Sequence, residues 1–312
     1  MNNILHLRYA LEIAKTHSIS KAAENLYMGQ PNLSRAIKEL EDSIGAVIFE
    51  RSAKGIIVTE DGEKFLQYAR RILSQVDEME SVFRDAKHKK QKFSVSVPRA
   101  SYISKGFTEF AKHIDPELPA EITYRETNSM RTVTNVLQDE YNLGIVRYQR
   151  AFEPQYSAMF EEKGIVSQTI TEFTYLLAVS VNSPLAGLNT VTEADLAGYI
   201  EITHPDPYVP SVPVPDIRKA EIAEYTDKRI YIFERASQFD LLGEIPDTFM
   251  WVSPLPENIC RMHGIVQRRC DVNPKVYKDV LIHKKGYVLS PLDNLFITEV
   301  CNAKRDIVDA FK

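Results

Sequence analysis

Apolar residues in the first part of the chain recur at helical spacing. Leu7, Leu11 and Ala14 share one face of a helix expected over 5–16. After Thr16-His17-Ser18 a short helix turns Ala22, Ala23 and Leu26 inward, with Ser18 or Ser20 placed to cap it. Tyr27-Met28-Gly29 breaks the pattern. A second helix then runs from about Gln30 to Ile44, with Leu33, Ile37, Leu40 and Ile44 at steps of 4, 3 and 4. Pro31 sits in its first turn, where a missing N–H costs nothing.

The period changes over 47–59. Val47-Ile48-Phe49 and Ile56-Ile57-Val58 are β-rich runs around Arg51-Ser52-Ala53-Lys54-Gly55, which predicts a hairpin with a basic tip. Thr59 can cap a helix reaching about His88. Its apolar residues Phe65, Ala69, Ile72, Val76, Met79 and Phe83 advance by 4, 3, 4, 3 and 4, a heptad seam that suits helix–helix pairing. The same stripe also suits an amphipathic helix packed on its own domain. His88 to Lys92 is a polar, basic connection.

From Phe93 onward strands and helices alternate. Strands are expected at Phe93–Val97, Glu121–Tyr124 and Leu143–Arg147, with helices from Ser101 to His113 and Met130 to Asp139 between them. A second such unit starts near Phe173–Val181 and includes strands at Tyr199–Ile202, Ile230–Phe233 and Phe249–Val252. This order predicts α/β lobes with mostly parallel sheets. Pro205, Pro207, Pro210, Pro213 and Pro215 mark one loop.

Composition changes this picture little. With 312 residues, 44% hydrophobic and 26% charged, the chain has the make-up of a globular protein of two or three domains. No apolar stretch approaches the ~20 residues of a membrane span. Arg8, Glu12 and Lys15 interrupt the N-terminal apolar run, so no secretory signal and no membrane partner are expected. Three cysteines are too few for a disulfide scaffold, which favours a reducing, cytoplasmic setting. Net charge is −5, yet residues 1–90 carry 14 Lys and Arg against 13 Asp and Glu. Charge alone therefore does not identify a nucleic-acid binder.

The spacing of the next two helices says more. A short helix, a three-residue turn with Gly29 and a second helix form a helix-turn-helix pattern. Opposite the apolar face of the second helix stand Pro31, Ser34, Arg35 and Lys38, with Gln30 at its start. Arg can fork onto guanine, Gln can pair with adenine, and Ser can serve a base or a phosphate. Glu39, Glu41 and Asp42 crowd the other end, so the N-terminal half is the part that would enter a major groove. A merely solvated polar face is the alternative.

Residues 2–75 closely resemble the winged helix-turn-helix of LysR-type transcriptional regulators. The segments that carry the resemblance are Ser18 to Leu26, Gln30 to Glu41, Gly45, Phe49-Glu50-Arg51 and Val58 to Gly62. Weaker likenesses at Asn142 to Arg147, Asn182 to Ala186 and Asp195-Leu196 extend it over most of the chain. The fold class implied is α+β multidomain. A winged helix-turn-helix (1–60) leads into a linker and dimerisation helix (61–88) and a hinge (89–92). A two-lobed α/β effector domain resembling periplasmic binding proteins follows, with lobe I at 93–168 and 266–312 and lobe II at 169–265. The implied DNA-facing residues are Ser20, Lys21, Gln30, Pro31, Asn32, Ser34, Arg35 and Lys38 in the helices, and Arg51 and Lys54 in the wing. Gly29 stands where the family often has Ser or Thr, which removes one potential phosphate contact. The resemblance also implies that Phe65, Ala69, Ile72, Val76, Met79 and Phe83 form a dimer seam. The partners implied are double-stranded DNA carrying an interrupted inverted repeat, a small-molecule effector, further copies of the chain as dimer or tetramer, and RNA polymerase.

In such lobes ligands sit at the carboxyl ends of strands and at helix N-termini. That selects Arg99, Ser101, Thr127, Asn128, Ser129, Arg147 and Thr203, a set suited to a small anion with Arg99 or Arg147 as countercharge. No cofactor is expected, and the scattered histidines lack metal-ligand spacing. Two other readings compete. Cys260 and Cys270, ten residues apart, could serve as a redox switch. Alternatively, the chain could be a ligand-binding or enzymatic α/β protein whose helical N-terminus only oligomerises it. Against an enzyme, there is no Gly-x-Ser-x-Gly, no Gly-x-Gly-x-x-Gly and no phosphate-binding loop motif.

Overall fold

The computed structural model describes residues 4–52, 55–83, 90–204, 208–221, 226–233 and 235–311. Lys54 lies outside the described residues, as do the side chains of Arg51 and Phe83. The chain divides into two compact units, Met1–Lys89 and Lys90–Lys312.

The first unit begins with α1 (Ile4–Thr16), α2 (Ile19–Asn25) and α3 (Gln30–Ile44). Ala10, Ile13, Ala22, Leu33, Ile37 and Leu40 meet in one buried cluster, so the 3.6-residue stripe does form the core of this unit. Strands β1 (Phe49–Ser52) and β2 (Gly55–Val58) pair antiparallel from Phe49 opposite Val58. Helix α4 (Glu60–Phe83) follows directly. The first half of the expected dimer seam also packs within the unit. Ala69 is buried against Leu7 of α1, and Phe65 and Ile72 join the same cluster. The cause is local: α1 presents Leu7 and Leu11 where α4 crosses it, so Ala69 is buried there while Phe65 and Ile72 stay half-buried. Val76 is half-buried, while Met79 remains 56% exposed.

The second unit opens with β3 (Gln91–Val97), α5 (Ser101–Ala111), β4 (Ala120–Glu126), α6 (Ser129–Leu137) and β5 (Leu143–Gln149). Then come α7 (Glu153–Glu162), β6 (Ile165–Thr174), β7 (Leu176–Ser180), α8 (Glu193–Leu196), β8 (Ile200–Thr203) and α9 (Val214–Glu221). The unit finishes with β9 (Arg229–Tyr231), α10 (Ala236–Glu244), β10 (Thr248–Val252), α11 (Glu257–His263), β11 (Ile265–Arg268), β12 (Val276–Lys284) and α12 (Pro291–Ile307).

Among the described residues these strands make two five-stranded sheets, ordered β4-β3-β5-β12-β6 and β11-β7-β10-β8-β9. Both are mixed rather than mostly parallel. β3 runs parallel to β4 and β5, but β12 is antiparallel to β5 and β6. In the other sheet β8 is parallel to β9 and β10, while β7 opposes β10 and β11. The parallel part comes from strand–helix–strand crossovers. The antiparallel part comes from the two places where the chain changes sheet and runs back.

Those crossings lie at Tyr175 and within 269–275, later than the expected boundaries at 168/169 and 265/266. The whole of β6 pairs with β12, and all of β11 pairs with β7, so each strand stays with its sheet to its end. The single strand expected over 173–181 is for the same reason two strands in different sheets. One face of the lobe I sheet packs Phe93 against Phe110 and Phe296, from α5 and α12. The helices touch so closely that a Cβ at Gly106 would meet the Val300 Cα at 2.7 Å. The other face packs Val133, Val146 and Phe160, and it is joined by Val209 and Ile217 from the proline-rich segment after β8. That segment thus ties lobe II to lobe I.

Candidate DNA interface and effector cleft

In the helical unit, Ser18 caps α2 by accepting the Lys21 N–H at 3.3 Å, and Gly29 precedes α3 without a side-chain cap. The helix ends at Gly45, whose φ of 70° is the left-handed conformation glycine favours. With Leu33, Ile37 and Leu40 buried, Gln30, Pro31, Asn32, Arg35 and Lys38 are exposed along α3, and Ser34 is half-buried. Gln30 Nε2 donates to Ser34 Oγ at 3.3 Å. Ser20 and Lys21 are exposed in the first turn of α2. The helical part of the expected DNA-facing set is therefore solvent-facing, Ser34 only partly so.

Two hydrogen-bonded ties hold the wing to this surface. Glu41 is expected only to repel phosphate; here its Oε1 accepts the N–H groups of Ile48 and Phe49 at 2.7 and 3.0 Å. The His17 carbonyl accepts the Ile56 N–H at 3.0 Å, anchoring the returning strand. Tyr27 is a residue the helical periodicity misses. It lies in the turn between α2 and α3 with φ +53° and is 98% exposed. A phenol so placed can donate to a phosphate oxygen. Its signal was a large aromatic residue in a three-residue turn, outside any apolar stripe.

In the second unit a cleft of about 510 Å³ opens between the sheets. Arg99, Thr127, Asn128, Ser129, Arg147 and Thr203 line it, as expected, together with His204. Ser101 does not. It is buried, and its Oγ accepts from Arg235 Nη2 at 2.7 Å. Arg235 Nη1 also meets Glu126 Oε1 at 2.6 Å, so this arginine bridges the lobes. The Asn128 side chain caps α6 by accepting the Arg131 N–H at 2.8 Å. The Ser129 hydroxyl donates to the Arg147 carbonyl at 2.5 Å and accepts its N–H at 3.1 Å. These polar groups shape the cleft rather than standing ready for a ligand.

Arg147 is not the expected countercharge. Its Nε and Nη2 meet the two carboxylate oxygens of Asp279, both at 2.7 Å. Burial is the largest influence and lowers the guanidinium pKa, but the charge and hydrogen bonds of Asp279, with Tyr175 and Tyr102, together raise it. Tyr102 donates to Asp279 Oδ2 at 2.6 Å, and burial followed by the same carboxylate pushes its phenol well above the ordinary range. Across the cleft, Arg229 Nε meets Glu201 Oε2 at 3.1 Å. Burial raises the Glu201 carboxyl, with Arg229 pulling the other way.

The residues that sequence reasoning misses here are aromatic. Tyr148, Tyr156, Tyr175, Tyr231, Trp251 and Tyr277 all line the cleft. They come from separate strands, helices and crossings, so no spacing along the chain connects them. Tyr175 and Tyr277 pack with ring centroids 4.1 Å apart, and Tyr148 stacks on Tyr156 at 4.3 Å.

The cysteines do not form a pair. Cys260 packs with Leu176 and Ala178, and Cys270 with Leu177 and Val179. Alternate residues of β7 point to opposite faces, so the two thiols lie on opposite sides of one sheet. Burial raises both thiol pKa values, which disfavours the reactive thiolate. Among the described residues no group of three or more His, Cys, Asp or Glu is arranged to hold a metal ion.

Residues 4–63 match the family described as bacterial regulatory helix-turn-helix protein, lysR family. The match covers the helix-turn-helix end of the chain. The chain is 42% identical over 77 residues to the regulator BenM of Acinetobacter baylyi, covering 25% of each chain. The regulator CysB of Burkholderia cenocepacia matches over 66% of this chain and 64% of its own length, at 28% identity. The stretches matched in these relatives thus stay below two thirds of their lengths. A likeness of fold extends over nearly the whole chain. ArgP from Mycobacterium tuberculosis superposes with a TM-score of 0.64 at 18% identity, covering 96% of both chains. Full-length CbnR, solved in complex with its target DNA, gives a TM-score of 0.58 at 20% identity over 96% of this chain and 99% of that one.

Proposed function

We propose that this chain is a LysR-type, sequence-specific DNA-binding transcriptional regulator controlled by a small molecule held between its lobes. The observation that carries this reading is the exposed row Gln30, Arg35 and Lys38 on α3, backed by buried Leu33, Ile37 and Leu40 and flanked by an anchored wing. The side chains at the start of α3 suit base edges, with the wing residues Arg51 and Lys54 suiting phosphates. The DNA complex of CbnR supports the same use of this fold.

Pairing of α4 with its twin, through Met79 and the later part of the helix, sets two such surfaces on one duplex. The expected target is an interrupted inverted repeat, since protein and DNA dyads match. Effector binding favours one arrangement of the lobes, and a coupling of about 1–3 kcal/mol suffices to alter DNA binding or contact with RNA polymerase. The domain limits proposed are 1–60 for the DNA-binding part, 61–88 for the linker helix and 90–312 for the effector part. Cytoplasmic residence follows from this function, and no helix among the described residues is long and apolar enough to cross a membrane. Gel-shift with DNA from upstream of the chain's own gene tests the reading: a discrete, salt-sensitive complex is expected, and equal retention of unrelated duplexes contradicts it.

A further inference from the structure

The charges that reach the effector cleft are already engaged. Arg147 is closed by Asp279 through two bonds of 2.7 Å. Arg229 is matched by Glu201 at 3.1 Å, with both side chains largely buried. Arg99, half-buried at the cleft, gives Nη2 to the Phe233 carbonyl at 2.6 Å. Both ring nitrogens of His204 are held, by the Ile232 carbonyl and by Gln238. An anion entering this cleft loses its water shell, and the guanidinium charges of Arg147 and Arg229 that it would meet are already answered by carboxylates. Burying a charge on those terms is costly.

The remaining surface has a different character. Register places Glu201 beside Arg229 and Thr203 beside Tyr231 on the lobe II sheet. Trp251 lies at the end of the neighbouring strand β10. Tyr175 and Tyr277 oppose them from the lobe crossing and from β12. Ring faces take up flat apolar area at little conformational cost, and phenol hydroxyls satisfy a few polar groups.

We propose that the effector of this cleft is a flat, uncharged aromatic compound, not the small anion that the strand-end residues suggest in sequence. The proposal rests on the reading of the cleft as the effector site and narrows its ligand class. In the parent protein Glu201 and Arg229 then answer each other, so the ligand need supply no charge.

Trp251 makes the test direct, because it is the only tryptophan of the chain and lines the cleft. The full-length protein is titrated with 4-nitrobenzamide and with 4-nitrobenzoate, near-isosteric quenchers that differ in charge, while tryptophan fluorescence is followed. The amide is expected to quench saturably and to bind about tenfold or more tighter than the carboxylate. Carboxylate binding as tight as the amide overturns the proposal. So does amide quenching that stays linear, as it does for free N-acetyltryptophanamide. Glu201→Gln removes one negative charge beside Arg229, so carboxylate affinity should gain about tenfold relative to the amide. An unaltered carboxylate affinity in that variant also counts against the proposal. Gel-shift on the same preparation separates the two readings: DNA retention without amide binding rejects the ligand class alone, and amide binding without DNA retention rejects the regulator.

Discussion

Arg147 and Asp279 stand opposite each other on neighbouring antiparallel strands and close a two-point ion pair, Nε to Oδ1 and Nη2 to Oδ2, each 2.7 Å. The Phe173 ring covers the guanidinium, with its centroid 4.7 Å from Cζ, and Tyr102 supplies a third bond to the carboxylate. Asp279→Ala leaves a buried guanidinium unpaired and is expected to cost about 3–5 kcal/mol. The double variant Arg147→Met/Asp279→Leu should cost far less than the two single losses combined. Urea denaturation followed by circular dichroism checks both; additive losses would show that the two residues do not act as a pair.

Arg235 fastens lobe II to lobe I through Glu126 and Ser101. Charge-assisted bonds of this kind contribute about 1.5–3 kcal/mol each. Arg235→Ala should therefore speed amide hydrogen exchange around Ile232 and at the start of α5 by about tenfold or more, leaving α1–α3 unchanged. Unchanged exchange at those positions would mean that the lobes are held elsewhere.

The α4 helix divides its seam between two tasks. Ala69→Glu puts a charge against Leu7 and should lower the stability of the helical unit itself. Met79→Glu falls on an exposed position and should leave that stability intact while weakening self-association. Light scattering with parallel thermal melts distinguishes them. A dimer that survives Met79→Glu at micromolar concentration removes the later seam from the interface.

Peroxide is expected to leave Cys260 and Cys270 unlinked, since a β-sheet separates them and burial holds both thiols up. Non-reducing mass spectrometry after treatment reads this out. An intramolecular 260–270 disulfide formed without unfolding would reverse the geometry described above.

The helical unit is legible in sequence because each element reports itself locally. Leu33, Ile37, Leu40 and Ile44 give the period of α3, Gly29 and Gly45 its ends, and a β-rich pair of runs the wing. The effector part is less so. Arg147 and Asp279 are 132 residues apart, and no local pattern shows that the arginine is spent on the aspartate. The aromatic lining is hidden for the same reason, as Tyr148, Tyr231 and Tyr277 come together only when both sheets exist. The seam on α4 is ambiguous because a heptad stripe fits a neighbour in the same chain as well as one in a twin.

The central claim, that α3 reads a duplex, is tested most directly by selecting binding sequences from a random duplex pool with the purified full-length protein at low ionic strength. Enrichment of an interrupted inverted repeat is expected. Arg35→Ala should relax preference at one base of each half-site by about 1–3 kcal/mol, and Lys54→Ala should weaken binding evenly across sequences. A pool that stays random, or parent-like selection by Arg35→Ala, would contradict the claim.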